Sequence, residues 1–365
     1  MRTGLVLDAR LLHTGIGTYI DNITLACRQL SSTVPVTAIV PKNERTPLAH
    51  QLQSVVTARS SIYGVYEQLE IAWHARRASL LHVPHYNFPI IHRGRLIVTI
   101  HDLVHLHTPK INGRAPRAYA RVMLTLASRR AELILTVSEA SKRDIVETLG
   151  AKPDRVRVIH NGVRPGFRPL PAQKARRTVA KALGVRSPYL LYVGNLKPHK
   201  NLPVLLQAIT RLDHQLADLR LILVGDDRRG GPQIRRQISD LALGARVTIV
   251  PQVGLQLLRT LYVGAAALIA PSLIEGFCYP VAEAMACGTP VICARASALP
   301  EVGGEAPKYF APNDCEELAT AIAQVVLSED LSQRMRERGL RQSARFSWSE
   351  CARQHLELYR HFLVP

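Results

Sequence analysis

The feature that most constrains the fold is an alternation of short apolar runs with longer stretches of helical periodicity, which continues along the whole chain. Such alternation is typical of βαβ units, in which parallel strands form a sheet with helices on both faces. Six runs are assigned to a first sheet: Leu5–Leu7, Val36–Val40, Leu80–Val83, Leu96–Ile100, Leu133–Val137 and Val156–Ile159. Six more are assigned to a second: Tyr189–Val193, Leu219–Val224, Val247–Val250, Ala267–Ala270, Val291–Cys293 and Lys308–Phe310. The sequence therefore predicts an α/β protein with two doubly wound parallel-sheet, Rossmann-like domains facing a cleft.

The predicted boundary between the two sheets is a proline-rich segment at residues 164–171, which suits neither a helix nor a strand. A length of 365 residues with 47% hydrophobic side chains is enough for two cores. Near the end of the chain, Ser347 and Glu350 have the spacing of a capping box, which predicts a following helix. The chain is thus divided into two domains and a final helical segment: residues 1–168, 169–346 and 347–365.

The charge of the chain is strongly positive and unevenly distributed. Lys and Arg number 47 against 28 Asp and Glu, a net charge of +19, and the first 180 residues hold 26 of the basic and 11 of the acidic side chains. A field of this sign attracts phosphates, anionic membrane surfaces or nucleic acid. A basic nucleic-acid-binding protein is therefore one alternative, although 5% aromatic residues supply few rings for stacking against bases.

Other features of the composition bear on the compartment. The sequence has no apolar run of the ~18 to 20 residues that span a bilayer, and its start is too soon interrupted for a signal-peptide core. The six cysteines form no C-x-x-C pair, so neither a zinc knuckle nor a disulfide framework is indicated. We expect a cytoplasmic protein with reduced thiols.

Two glutamates separated by seven residues form the most informative local motif. Glu275 lies in a turn after a predicted strand, and Glu283 lies within the predicted helix that follows. The backbone N–H groups of Gly276, Phe277 and Cys278 would lie near the helix N-terminus, where the helix dipole favours anions. The two carboxylates would then bracket a phosphate-bearing sugar nucleotide at the carboxyl end of a strand. The alternative is a pair of glutamates that only cap or solvate the helix.

A basic turn follows the first strand of the second sheet. Gly194 and Asn195 begin the turn, and Lys197, His199 and Lys200 precede a predicted helix. Lysine is a mobile point charge that suits phosphate oxygens, so this turn predicts a clamp for a diphosphate. The alternative is a solvated basic turn without a ligand.

Two further motifs follow strands in the first half of the chain. Gly15 and Gly17 precede a helix, but Ile20 occupies the position of the third glycine of the dinucleotide fingerprint, so a NAD-dependent oxidoreductase is weakly supported. A group of histidines follows another strand and is open to a reading as a metal cluster: His101, His105 and His107. The sequence contains no D-x-D triplet, so a divalent-metal donor site is not favoured and no metal ligand is assigned.

Taken together, these motifs resemble the retaining glycosyltransferases of family four, which have the GT-B fold. The resemblance rests on the E-x7-E motif, on Lys200 after a glycine turn and on a T-x-H-D segment that contains His101. Further matching segments extend it over almost the whole chain: 134–142, 158–163, 271–274 and 299–302. Asn195 stands where many members have arginine, and Cys278 stands where they usually have glycine and would narrow the donor pocket. These departures keep an inactive protein of the same fold as an alternative.

The resemblance implies a division of labour between the domains. The first would bind the acceptor, the second would bind the nucleotide sugar, and the last helix would cross back to the first. Glu275 would orient the C3 and C4 hydroxyls of the donor sugar, Glu283 would bind the ribose diol, and His101 would contact the sugar from its other side. Lys200 and nearby backbone amides would offset charge on the leaving diphosphate. The other residues implied near the donor lie in glycine turns: Gly15, Gly17, Gly194, Asn195, Gly276, Phe277 and Cys278.

The activity implied is a metal-independent, retaining hexose transfer that forms an α linkage. The pattern most resembles bacterial mannosyltransferases that use GDP-mannose in exopolysaccharide or O-antigen synthesis, with UDP-glucose or UDP-N-acetylglucosamine as alternative donors. The expected acceptor is a saccharide, free or linked to polyprenyl diphosphate, and no nucleic-acid partner is expected. A row of basic residues predicts peripheral contact with anionic lipid on the cytoplasmic face of the inner membrane: Lys110, Arg114, Arg117, Arg121, Arg129 and Arg130.

Overall fold

The computed structural model describes residues 3–12, 15–30, 36–42, 54–64, 66–108, 114–225 and 230–363. The strands are β1 (Thr3–Asp8), β2 (Val36–Pro41), β3 (Ser54–Ala58), β4 (Ala78–Val83), β5 (Leu96–Thr99), β6 (Leu133–Thr136), β7 (Val156–Val158), β8 (Tyr189–Val193), β9 (Arg220–Val224), β10 (Val247–Val250), β11 (Ala267–Ala270), β12 (Val291–Ala294) and β13 (Lys308–Phe310). The α-helices are α1 (Gly15–Leu30), α2 (Glu67–Ala75), α3 (Val104–His107), α4 (Arg114–Arg130), α5 (Glu139–Leu149), α6 (Ala172–Leu183), α7 (Leu202–Thr210), α8 (Gly231–Asp240), α9 (Leu255–Gly264), α10 (Tyr279–Ala286), α11 (Leu299–Gly303), α12 (Cys315–Leu327), α13 (Glu329–Ser343) and α14 (Trp348–Leu363).

The chain forms two compact units. The first contains residues 1–162 together with 347–365, and the second contains residues 163–346. Helix α14 therefore belongs to the first unit, although it follows the second in the sequence. Within that unit it packs against α1 and the strands β1 and β4.

The first unit is built on a parallel sheet of seven strands in the order β3-β2-β1-β4-β5-β6-β7. Six of these strands are predicted from the sequence, and β3 is not. Only Val55 and Val56 of β3 are large apolar residues, and Ser54 and Thr57 are exposed. An edge strand is covered on fewer sides than a central one, so it does not need the continuous apolar run by which the other strands are recognised.

The second unit contains a parallel sheet of six strands in the order β10-β9-β8-β11-β12-β13, all at predicted positions. Its central strands β11 and β12 are buried at every residue, as expected of a parallel sheet covered by helices on both faces. The prediction of two doubly wound parallel sheets is confirmed. The proline-rich segment 164–171, which is described throughout, contains neither helix nor strand.

The helices of the described ranges are those of a globular α/β protein. None of them is both long enough and apolar enough to cross a bilayer.

Candidate active site

The candidate site of the second unit lies where the strand order reverses, at the carboxyl ends of β8 and β11. Open parallel sheets bind ligands at this point, because the connections on either side leave toward opposite faces and open a crevice. β8 leads through Gly194 to a 3-10 turn at Pro198–Lys200, and β11 leads through Glu275 to α10. The two turns are joined by a backbone hydrogen bond of 2.8 Å from Leu273 N to the His199 carbonyl oxygen.

Lys200 and Glu275, which come from separate sequence motifs, form an ion pair. The distance from Lys200 Nζ to Glu275 Oε1 is 2.5 Å, and the side chains are 15% and 12% exposed. Burial raises the pKa of Glu275, but the Lys200 ammonium and the Ser272 hydroxyl outweigh it, so the pKa lies below its usual value. Glu275 is therefore ionised at neutral pH, and the pair keeps a small surface through which a ligand can reach it.

A residue that sequence analysis did not identify fixes the backbone of Glu275. Glu275 N donates to Ser297 Oγ at 3.2 Å, and Ser297 Oγ donates to the Glu275 carbonyl oxygen at 2.8 Å. Ser297 follows β12, the neighbour of β11 in the sheet. Its position at a strand's carboxyl end was the one sequence signal that could have pointed to it.

Glu283, the second glutamate of the motif, has a different environment. It is buried in α10, where Oε1 accepts hydrogen bonds from Arg164 Nε at 3.1 Å and Nη2 at 2.8 Å, and Oε2 accepts one from the Tyr262 hydroxyl at 3.1 Å. Burial raises the pKa of Glu283 above its usual value in spite of Arg164. In the sequence, Arg164 is marked only as part of the proline-rich segment, and no motif marks Tyr262. Both oxygens of the residue predicted to bind ribose thus have partners within the protein.

The N-terminus of α10 has an unusual backbone. Cys278 precedes the helix with φ 68° and ψ 73°, in the left-handed region that favours glycine, and its side chain is buried. Burial raises the pKa of its thiol. The Phe277 ring is also buried and lies 5.5 Å from the Tyr279 ring and 5.2 Å from the Phe346 ring, measured between centroids. The Cys278 side chain makes no capping hydrogen bond to this helix.

The turn after β8 is held by its own groups. Gly194 has φ 152°, and the Tyr192 hydroxyl donates to the Asn195 carbonyl oxygen at 2.6 Å. Asn195 Oδ1 accepts from Lys197 N at 3.3 Å, so the Asn195 side chain supports the turn as an Asx-type contact. An amide cannot supply the charge of the family's arginine, and the cation that meets Glu275 is Lys200.

His101, in the first unit, follows β5 and is half-buried. Its Nε2 lies 3.1 Å from the Pro84 carbonyl oxygen, and its ring meets the Tyr19 ring edge-on with centroids 4.9 Å apart. Because a carbonyl oxygen only accepts, Nε2 carries the proton and Nδ1 is left as an acceptor. Burial lowers the pKa of His101 to about 4, so the ring is neutral at physiological pH.

A buried polar network extends from Tyr19 to α14. The Tyr19 hydroxyl lies 3.2 Å from Thr99 Oγ1 and 2.8 Å from His355 Nε2. His82 joins the same threonine, with Nε2 2.8 Å from Thr99 Oγ1, and its Nδ1 lies 2.7 Å from the Tyr359 hydroxyl. These contacts tie α1, β4 and β5 to α14 beneath His101.

The glycine loop of the first unit approaches other backbone closely at one of its two glycines. A Cβ on Gly17 would overlap the backbone of Leu12, whereas a Cβ on Gly15 would meet no atom within 4 Å. Gly17 is therefore required by packing, and Gly15 is not.

The three histidines that the sequence allows as metal ligands, His101, His105 and His107, have separate partners. His105 meets the Tyr86 ring edge-on at 5.7 Å, and His107 Nε2 lies 2.7 Å from Asp144 Oδ1, while His101 faces Pro84. Among the residues the structure describes, no group of three or more His, Cys, Asp or Glu side chains is arranged to hold a metal ion.

Comparison with known proteins agrees with the motifs. Residues 13–167 match the family described as Glycosyltransferase Family 4, and residues 176–342 match the one described as Glycosyl transferases group 1. The O-antigen chain mannosyltransferase B of Escherichia coli is 29% identical over 278 residues, which is 75% of this chain and 72% of that protein. The MMP alpha-(1->4)-mannosyltransferase of Mycolicibacterium hassiacum is 32% identical over 231 residues, which is 62% of this chain and 53% of that protein, about half its length.

Solved structures show the same fold. Anabaena Alr3699/HepE, crystallised with UDP and glucose, superposes with a TM-score of 0.80 at 20% identity and covers 98% of this chain and 99% of its own. The two sheets, the E-x7-E motif at a strand's carboxyl end and the two family matches lead to one assignment. The chain belongs to the family-four glycosyltransferases and has the GT-B fold.

Proposed function

We propose that the protein is a metal-independent retaining glycosyltransferase that moves a hexose from a nucleoside diphosphate to an acceptor hydroxyl with an α linkage. The observation that carries this proposal is the Lys200–Glu275 pair at the reversal of strand order in the second sheet. It places a cation suited to a diphosphate beside a carboxylate suited to sugar hydroxyls, at the edge of the sheet where ligands bind.

Lys200 supplies the positive charge for the leaving group. As the glycosidic bond to the diphosphate breaks, negative charge grows on the phosphate oxygens, and an ammonium nearby lowers the energy of that state. The backbone N–H groups of Gly276, Phe277 and Cys278, which precede α10, add donors of the same polarity. The acceptor hydroxyl attacks from the side of the leaving phosphate, whose oxygen takes up the hydroxyl proton, so no nucleophilic side chain is assigned.

The carboxylates and the histidine orient the donor. Ionised Glu275 accepts hydrogen bonds from the C3 and C4 hydroxyls, and Ser297 keeps its backbone in place. Nδ1 of neutral His101 accepts from a hydroxyl on the other side of the sugar. Arg164 occupies both acceptor positions of Glu283 Oε1, whereas Oε2 accepts only from Tyr262 and keeps a second position through which it bonds the ribose diol.

For the donor we propose GDP-mannose, because two of the relatives are mannosyltransferases. The alternative is a UDP-hexose, since a structural neighbour was crystallised with UDP and glucose. The acceptor proposed is a saccharide, free or carried on polyprenyl diphosphate, and the enzyme acts in the cytoplasm as a peripheral protein on the inner membrane.

A thermal-shift and hydrolysis screen tests the donor. Wild-type protein is heated with GDP, UDP or ADP, and release of each nucleotide from its sugar conjugates is followed in parallel. The proposal predicts stabilisation by GDP and slow GDP release from GDP-mannose. Stabilisation by UDP alone would replace the proposed donor with a UDP-hexose, and no response to any nucleotide or sugar nucleotide would contradict glycosyl transfer.

A further inference from the structure

Helix α2 of the first unit has a large apolar outer face. Tyr66, Leu69 and Trp73 follow one another at helical spacing and are 79%, 62% and 63% exposed. The opposite face of the helix is buried: Glu67, Ile71 and Ala75. A surface helix normally carries polar residues on its outer face, so three large apolar side chains in a row indicate a surface that something covers.

The loop after β4 widens this face. Gln68 of α2 accepts a hydrogen bond from Ile90 N at 2.8 Å, which holds Ile90 and Ile91 beside the helix, and both isoleucines are exposed. A groove of about 810 Å³ runs along the surface, lined among others by Leu69, Trp73 and Ile91. We call this surface the α2 patch: Tyr66, Leu69, Trp73, Ile90 and Ile91.

The segments that form the α2 patch are rich in basic side chains, and Arg59 and Arg76 line its groove. Five exposed arginines occur in these segments: Arg59, Arg76, Arg77, Arg93 and Arg95. Arg76 also lies over the Trp73 ring, 3.7 Å from its centroid.

The acidic side chains of the same segments offset only part of this charge at the surface. Within the described parts of residues 54–95, Glu67 and Glu70 are the only two. Glu67 is buried and bonded to Arg10 and Asn87. Glu70 is half-buried and lines the groove, where its oxygens accept from the backbone N–H groups of residues 59 and 60, so one carboxylate faces the five arginines. The patch therefore complements an anionic, partly apolar surface.

We propose that the α2 patch docks on an anionic lipid bilayer. Tyrosine and tryptophan rings suit the boundary between lipid headgroups and acyl chains, and arginines around them pair with lipid phosphates. We assign to this contact the capture of a lipid-linked acceptor, and that role rests on the proposed function. The binding of the α2 patch to lipid does not depend on it.

The α2 patch differs from the basic row predicted from the sequence. Lys110 lies outside the described residues, Arg117 is half-buried, and Arg130 donates to the carbonyl oxygens of His92 and Gly94. Exposed Arg121 lies on α4, whose Tyr119 ring meets the ring of Tyr63, three residues before the patch, edge-on. The basic row is thus distinct from the proposed surface.

Vesicle sedimentation at low salt tests the proposal, with phosphatidylcholine vesicles compared with vesicles of phosphatidylcholine and phosphatidylglycerol. Wild-type protein is expected to sediment with the anionic vesicles and far less with the neutral ones. The double variant Leu69→Ser/Trp73→Ser should bind at least about tenfold more weakly, because it lacks the two apolar side chains that leave water when the wild-type patch enters the bilayer. Leu327→Ser, which changes an exposed leucine of the second unit, is the matched control and should bind like wild type.

Fluorescence gives an independent readout. The two tryptophans are Trp73 and Trp348, and only Trp73 is exposed, so quenching by brominated lipids reports insertion of the α2 patch. Equal sedimentation of the double variant and wild type, or no quenching of Trp73, would overturn the proposal. A wild-type dimer that the double variant dissociates would assign the patch to a second copy instead and would also overturn it. Nucleotide binding by the double variant, measured without vesicles, shows separately whether the proposed function stands.

Discussion

At the residue scale, Cys278 shows how backbone conformation and side chain conflict at the N-terminus of α10. Its φ of 68° brings Cβ close to the following carbonyl, which costs an L-residue roughly 1 to 2 kcal/mol and costs glycine nothing. Its buried thiol offsets part of this cost by packing. Cys287 ends the same helix with φ −81°, an ordinary conformation, and provides an internal comparison.

This conflict predicts an inverted order of stability for two substitutions. Cys278→Gly should be more stable than Cys278→Ala by about 1 kcal/mol, because both lose the thiol and only alanine keeps the strain. At residue 287 the order should be the usual one, with Ala more stable than Gly by about 0.5 to 1 kcal/mol. Urea unfolding followed by circular dichroism measures all four variants. An identical order at the two positions would contradict the left-handed assignment.

Single residues were predictable from the sequence only where a local motif marks them. Glu275 and Lys200 each stand in a recognisable turn, and their pairing follows once the two strands are neighbours. Ser297, Arg164 and Tyr262 carry no such mark. Their roles arise from hydrogen bonds between residues far apart in sequence, which only the folded chain brings together.

At the element scale, the start of α1 depends on close approach of two backbone segments. The overlap that a Cβ on Gly17 would make is with Leu12 backbone, which cannot move aside as a side chain can. Gly17→Ala should therefore destabilise the first unit by more than about 2 kcal/mol. Gly15→Ala, two residues earlier and with open space around its Cβ, should be neutral or slightly stabilising. Equal unfolding midpoints by tryptophan fluorescence would refute this difference.

Two histidines of the first unit predict that its free energy of unfolding depends on pH. Burial lowers the pKa of His355 and of His101 to about 4, from an ordinary value of 6.5. Between these values the unfolded chain binds protons that the folded chain does not, so the free energy of unfolding falls as pH decreases from about 6.5 to 4.

The variant His355→Gln isolates one of these protons. Its unfolding free energy should depend on pH less steeply than that of wild type, by up to about 1.4 kcal/mol per pH unit within this window. Both tryptophans lie in the first unit, so their fluorescence during urea unfolding reports the relevant unit. Parallel curves for the two proteins would show that His355 does not titrate in this way.

Elements were predictable where burial imposes a pattern. Strands such as β11 and β12 are covered on both faces and therefore carry uninterrupted apolar runs. The same reasoning failed for β3, whose edge position leaves polar residues acceptable. The apolar outer face of α2 was not predictable either, because the periodicity of a sequence does not show which side of a helix packs against the sheet.

At the scale of the whole molecule, both units carry positive charge. The unit with the α2 patch holds 23 basic and 13 acidic side chains, and the unit with the Lys200–Glu275 pair holds 24 and 15. Composition predicted that an anionic partner exists, and the fold separates two candidates for it, a lipid surface and a diphosphate. Charge totals could not make that separation, because they carry no positions.

The most direct measurement compares nucleotide binding by wild type, Lys200→Ala and Lys181→Ala in titration calorimetry. The ligands are the nucleoside diphosphate that stabilises wild type best and the nucleoside without phosphates. Loss of the Lys200 cation should weaken diphosphate binding roughly 10- to 100-fold and leave nucleoside binding unchanged. Lys181, exposed on α6, is the matched control and should behave as wild type. Diphosphate binding by Lys200→Ala as tight as that of wild type would contradict the central claim that Lys200 holds the leaving group.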